Sequence, residues 1–201
     1  MSELLVAAPL RVEAMLIGGA GRRGPLVRKT GMGTRRARAA AAEIALDGSG
    51  ALLVLGFCGG LDQSSVPGEV IVAEEVYAAP DEGHPEASVT CELRDQLLMA
   101  LTGRGMKVRT GRIVCSSRLA VGERRAQLHA DGAIAVDMES VWLAAGARGR
   151  PFGVARVVLD SPSHELLRVA AVPHALRAAL ALRRVAGALE DLAPVAGPAA
   201  G

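Results

Sequence analysis

Three acidic residues stand where an apolar run gives way to a loop or helix: Glu13 after Leu4 to Ala8, Glu139 after Ala133 to Met138, and Asp160 after Phe152 to Leu159. One such carboxylate more often caps a helix or faces water. Several meeting at one rim could move protons and stabilise a developing cation. Two glycine-rich segments accompany them. Thr30-Gly31-Met32-Gly33-Thr34 lies between a strand-like run and an alanine-rich stretch, so a turn is expected whose backbone N–H groups at the helix start are free for an anion or hydroxyl. Gly56-Phe57-Cys58-Gly59-Gly60 closes the run Ala51 to Leu55 and predicts a second turn at the carboxyl end of a strand, the rim where α/β folds hold ligands. Gly19-Ala20-Gly21-Arg22-Arg23-Gly24 matches the dinucleotide-binding pattern in letters only. Pro25 and a strand-like run follow it, where that pattern must open a helix.

Other chemistries find few parts. His84, His129, His164 and His174 show no paired ligand spacing, so no metal or other cofactor is expected. Cys115 ends an apolar strand with no histidine placed to activate it and reads as a buried structural thiol. Cys58, Cys91 and Cys115 are odd in number and widely spaced, which fits reduced thiols in the cytoplasm. With 23 basic against 21 acidic residues and 2% aromatics (Phe57, Phe152, Trp142 and Tyr77), the chain lacks the field and the stacking surfaces of a nucleic-acid binder. Arg35-Arg36-Ala37-Arg38 reads as a solvated helix face. Glu3, Arg11 and Glu13 interrupt the first apolar run, so no signal peptide is expected. No stretch approaches the roughly 18 uncharged apolar residues of a membrane span.

The elements that must position these residues alternate. Strands are expected at Leu4 to Ala8, Leu26 to Thr30, Ala51 to Phe57, Glu69 to Val76, Val108 to Cys115, Ala133 to Met138 and Phe152 to Leu159. Helices are expected at Thr34 to Leu46, Cys91 to Leu101, Gly122 to His129, Ser140 to Ala147 and Pro173 to Leu192. The alternation predicts one three-layer α/β/α sandwich around a central mixed sheet, a single domain over residues 1–193 with a frayed tail over 194–201. In the last helix Leu176, Leu180, Val185, Leu189 and Leu192 read as one apolar side, and Arg177 and Arg184 as another. That pattern predicts a helix docked on the sheet, with a membrane-surface helix as the alternative.

In order along the chain, six segments resemble the nucleoside phosphorylase and nucleosidase superfamily, which includes methylthioadenosine/S-adenosylhomocysteine nucleosidase. They are Glu13 in the first loop; Thr30-Gly31-Met32-Gly33; the Gly56 to Gly60 turn with Val66-Pro67-Gly68-Glu69-Val70-Ile71-Val72; Gly111-Arg112-Ile113-Val114-Cys115-Ser116-Ser117; Val136-Asp137-Met138-Glu139-Ser140; and Arg156-Val157-Val158-Leu159-Asp160. Cys58-Gly59-Gly60-Leu61-Asp62 and Val136 to Ala144 most resemble the hopanoid-associated branch, whose members are thought to release adenine from adenosylhopane. The resemblance implies an enzyme that cleaves the N-glycosidic bond of a purine nucleoside, without a cofactor, as a homodimer or higher homo-oligomer. It implies Asp160 as general acid to the purine N7, Glu139 on the ribose hydroxyls beside the developing charge, and Glu13 as the group that orients or deprotonates water. Met138 would pack against the sugar, and Ser117 and Leu119 would flank the base. Gly56 and Phe57 would line the site.

Two departures from that pattern carry weight. Phosphorylases of the superfamily hold phosphate with an arginine and a serine around the second glycine turn, where this chain has Val54 and Phe57. Burying a dianion without charge-assisted donors is very costly, so water is the expected nucleophile. Arg28, Arg35 or Arg36 would have to supply another phosphate site. The short Tyr77 to Thr90 connection, and Leu119 where nucleosidases stack an aromatic on adenine, predict an open 5′ end suited to a bulky lipid substituent. Methylthioadenosine, S-adenosylhomocysteine and futalosine are alternative substrates, and a catalytically inactive ligand-binding domain is the non-enzymatic alternative.

Overall fold

The computed structural model describes residues 4–20, 25–82, 87–164 and 171–192. Gly21 to Gly24 of the decoy motif, His84 and the 194–201 tail lie outside them. Eight strands form one mixed sheet: β1 (Leu4–Ala8), β2 (Leu26–Lys29), β3 (Ala51–Gly60), β4 (Val70–Ala78), β5 (Ser88–Thr90), β6 (Val108–Cys115), β7 (Ala133–Asp137) and β8 (Phe152–Asp160). The helices are α1 (Arg11–Gly18), α2 (Thr34–Ile44), α3 (Arg94–Gly103), α4 (Gly122–Ala130), α5 (Ser140–Ala144) and α6 (Ala171–Ala188).

The three expected layers are present. Side chains on β1 and β3 alternate between faces, as the pleat requires. Leu5, Ala7, Leu52 and Val54 pack with Ala37, Ile44, Trp142 and Leu143 of α2 and α5. Val6, Ala8, Leu53 and Leu55 pack with Ile17, Leu97, Leu182 and Val185 of α1, α3 and α6. Beyond that alternation, β3 pairs in parallel with β8, and β8 is antiparallel to β4. In turn β4 runs parallel to β6 and β6 to β7. Gly59 and Gly60 close the circuit by pairing antiparallel with Val136 and Ala135 of β7. Five strands thus curl into a closed ring, with β2-β1 and β5 as extensions.

Several expectations need correction. The Gly56 to Gly60 segment is no turn but the last half of β3. It stays extended because the strand must bend from β8 to β7 at the Cys58/Gly59 register shift, where a Cβ on Gly59 would stand 3.2 Å from both Asp160 and Val136. Glu13 lies not in a loop but on α1, an eight-residue helix with Leu10 at its N-cap, a residue type that gives no start signal. Part of the Tyr77 to Thr90 connection is β5, three residues paired antiparallel to Glu75, Val76 and Tyr77.

The last helix also buries a different stripe. Ala178, Leu182, Val185, Ala186 and Leu189 are buried, whereas Leu176 and Leu180 are exposed. Leu176 and Val185 are nine residues apart, which at 100° per residue puts them on opposite sides of the helix.

Candidate active site

The carboxyl ends of β1, β3, β7 and β8 and the segment after β6 enclose a cavity of about 150 Å³, lined by residues that include Leu10, Glu13, Phe57, Cys58, Gly59, Leu119, Arg125, Met138, Glu139 and Asp160. Glu13, Glu139 and Asp160, 147 residues apart in sequence at the extremes (160 − 13), therefore meet at one place.

Glu13 is 2% exposed. Its Oε1 accepts a hydrogen bond from Phe57 N at 2.7 Å and its Oε2 one from Leu10 N at 2.6 Å. Held at N3 of α1, the carboxylate reaches back to the N-cap amide and across to β3 at once. Gly56 makes the approach possible: a Cβ there would stand 2.5 Å from Glu13 Oε1 and 2.8 Å from Arg156 Nη1. Burial pushes the Glu13 carboxyl above its ordinary range, with the Arg156 charge and the two amide bonds opposing.

Glu139 sits at the N-cap of α5, and its Oε1 accepts from Gly33 N at 2.8 Å. The first glycine turn thus spends one of its amides on Glu139, a correction to the expectation that they are free for a ligand. Burial first, and then the Asp137 charge, push Glu139 up to about 7. Behind both carboxylates lies Arg156, a fully buried residue in the middle of β8. Its Nη2 is 2.5 Å from Asp137 Oδ2, 2.9 Å from Ser140 Oγ and 3.9 Å from Glu139 Oε2. Burial alone would raise Asp137 too, but the Arg156 charge and donors from Cys115 and Ser140 outweigh it and hold Asp137 below its ordinary range. Three carboxylates, Glu13, Asp137 and Glu139, thus share one guanidinium. A cluster so unbalanced favours either a bound proton or a developing cation in the cavity beside it.

Asp160 ends β8, and its Oδ2 accepts from Arg125 Nη2 at 2.7 Å. Arg125, buried on α4, is itself oriented by Nε donating to Ala120 O at 3.0 Å. Leu119 lines the mouth at 70% exposed and Met32 at 52%. Ser117 is not brought to the cavity: it is exposed, and its N–H donates to Glu82 Oε1 at 2.6 Å. Gly56 lies behind Glu13 and is not in the cavity wall. Val54 is fully buried among the α2- and α5-facing core residues, and Phe57, which packs against the core on the opposite face of the sheet, also lines the cavity.

Asp137 and Arg156 stand in the resembling segments without an expected role, and Arg125 has no expected role either. A single arginine inside the otherwise apolar Phe152 to Leu159 run was the available signal for Arg156, because a lone charge in a buried strand must find partners. Nothing local marks Arg125. Cys115 Sγ donates to Asp137 Oδ1 at 2.7 Å and accepts from Val141 N, and burial raises its thiol well above the ordinary value. It is a structural donor. Among the described residues no group of three His, Cys, Asp or Glu side chains is arranged to hold a metal ion.

A profile of the phosphorylase superfamily matches residues 3–190. No curated protein sequence matches the chain significantly. Solved structures match along nearly the whole length. One is the 5′-methylthioadenosine/S-adenosylhomocysteine nucleosidase of Neisseria meningitidis in complex with methylthio-immucillin-A (20% identity, 96% of this chain and 100% of that one, TM-score 0.79). A second is the S-adenosylhomocysteine nucleosidase of Streptococcus pyogenes (18%, 96% and 98%, 0.76). A third is the futalosine hydrolase of Helicobacter pylori (17%, 95% and 97%, 0.76). At these identities the likeness is one of fold.

Proposed function

The chain belongs to the phosphorylase superfamily, and from that premise we propose that it is a purine nucleosidase cleaving the N-glycosidic bond of a 5′-substituted adenosine with water as the nucleophile. The observation that carries this reading is the convergence of Glu13, Glu139 and Asp160 on one cavity in which β3 offers no phosphate ligand, Val54 being in the core and Phe57 standing in the wall.

In this reading Asp160 is the general acid that passes a proton to N7 of the base while the C1′–N9 bond breaks and its electron pair leaves with the purine. The Asp160 oxygen now bonded to Arg125 must be released or shared as the base arrives. Positive charge develops on the sugar beside the carboxylate-rich cluster, which stabilises it without moving, since its dipoles and charges are already fixed. Glu139 accepts from the ribose hydroxyls and Met138 packs on the sugar. Water attacks C1′ and passes its proton to Glu13, whose buried carboxylate is a stronger base than an ordinary one.

Adenosylhopane is the candidate substrate, with adenine the product. Support comes from the resemblance of the Cys58 to Asp62 and Val136 to Ala144 segments and from the apolar, exposed rim of Met32 and Leu119, which leaves room for a bulky 5′ substituent. Phosphorolysis is the second reading, favoured by one feature. Arg11, Lys29 and Arg36 line a neighbouring cavity of about 380 Å³ that shares Pro9, Leu10 and Met32 with the first. Arg28 is less suited, being engaged with Asp47 at 3.4 Å. Product analysis with adenosylhopane, methylthioadenosine, S-adenosylhomocysteine and futalosine, each with and without phosphate, tests the proposal. Adenine release fastest from adenosylhopane and indifferent to phosphate is expected. A strong preference for methylthioadenosine would remove the lipid substrate, and ribose 1-phosphate as product would replace hydrolysis by phosphorolysis.

A further inference from the structure

The outer face of α6 is unlike that of an ordinary surface helix. While Ala178, Leu182 and Val185 face the core, Val172, Leu176 and Leu180 are 75%, 60% and 55% exposed. Spaced by four, these three form one ridge spanning about 80° of the helix circumference. Arg177, Arg183 and Arg184 are exposed on the same side, and the 18 residues of the helix contain no acid. Half-exposed Val66 extends the apolar surface across a depression that Leu180, Arg177, Arg184 and Lys107 also line. The acid in that depression, Glu69, is held by Arg109 at 3.2 Å. Beyond the helix end, Glu190 is exposed in the turn that follows, and Asp191 is held by Arg104 at 2.6 Å.

We propose that this face docks the protein on an anionic lipid surface, with Val172, Leu176 and Leu180 entering the headgroup boundary and the three arginines meeting lipid phosphates. An apolar ridge interleaved with cations and free of acids is the composition of helices that lie in a membrane interface. A second copy of the chain suits it less well: a two-fold contact sets a patch against itself, and here that would bring arginines together with no carboxylate between them. The face also adjoins the cavity. The ring of His174 is 4.9 Å from that of His164, which bridges to Ser161 next to Asp160. Arg177 packs its backbone on Gly68, whose N–H donates to Val158 O at 2.8 Å. The docking face is thus linked through these contacts to the strand that carries Asp160, whichever nucleoside the site takes.

Co-sedimentation of the full chain with vesicles tests this. Binding to phosphatidylcholine vesicles containing phosphatidylglycerol is expected, weakening roughly a hundredfold on phosphatidylcholine alone, since each of three basic residues near an anionic leaflet strengthens binding about fivefold. The double variants L176E/L180E and R177E/R184E, which leave the buried stripe intact, should abolish sedimentation while keeping wild-type circular dichroism and turnover of a water-soluble nucleoside. Equal sedimentation of wild type and both variants, or none by the wild type, would overturn the proposal. So would a concentration-dependent dimer that L176E/L180E dissolves, or binding to polyglutamate but not to vesicles.

Discussion

Glu139 carries a testable signature of the crowded charges around it. Its proton is held up to about pH 7, against an ordinary 4.5, so between those pH values the folded chain binds more protons than the unfolded one and stability falls as pH rises. A shift of this size corresponds to on the order of 3 kcal/mol. Denaturant unfolding of Glu139→Gln should therefore show a flatter decline between pH 5 and pH 7 than the wild type, and an unchanged slope would mean that the excess proton resides elsewhere. For Asp160→Asn, the loss of a positioned acid predicts a kcat lower by about 10²- to 10⁴-fold with substrate still bound, measured as adenine release and by equilibrium binding. Undiminished turnover would assign the proton to another group. At this scale the sequence was informative about the carboxylates that line the cavity and silent about the groups behind them. Glu139 and Asp160 stand at visible strand ends and Glu13 in the first turn of the helix after β1, but Arg125 reaches Asp160 from α4, a pairing across 35 residues that no local pattern encodes.

Elements matter here through where they allow side chains to come close. Adding a methyl at Gly56 places a Cβ 2.5 Å from Glu13 Oε1 and 2.7 Å from its Cδ. Gly56→Ala should cost about 1–3 kcal/mol from overpacking and lower turnover by displacing Glu13. Gly103, at the end of α3, has no atom within 4 Å of the same position. Gly103→Ala should leave turnover unchanged and raise stability by about 0.4–1 kcal/mol. Thermal unfolding and turnover of the pair separate crowding at the site from a general intolerance of substitution. In α6, truncating the fully buried Leu182 should cost about 2–5 kcal/mol. Leu176→Ala should change stability by no more than about 0.5 kcal/mol. If urea midpoints ranked them the other way, the buried stripe would be misassigned. The helix itself was legible as an alanine- and leucine-rich run. Its inward face was not, because leucines at intervals of four and five drift around the cylinder. β3 misled for a related reason: glycines that usually mark a turn here serve a bend within a strand.

Across the whole molecule, the alternation of apolar runs and alanine-rich segments made the layered architecture readable, and each of the seven expected strands overlaps an observed one. Closure of β3, β8, β4, β6 and β7 into a ring was beyond reach, since strand pairing over such sequence distances is fixed by packing rather than by any local signal. That closure has a functional result, for it brings the ends of β3, β7 and β8 together and so sets Phe57, Glu139 and Asp160 around one cavity. The scarcity of aromatics fits the same picture. Trp142 and Tyr77 lie buried beneath Arg38 and Arg112, Phe152 is in the core, and Phe57 lines the cavity. The identity of the nucleophile is thus the central claim. Turnover of the fastest substrate in oxygen-labelled water, with and without phosphate, measures it directly. The account predicts equal rates and label in the free sugar, and strict dependence on phosphate with an unlabelled sugar phosphate would contradict it.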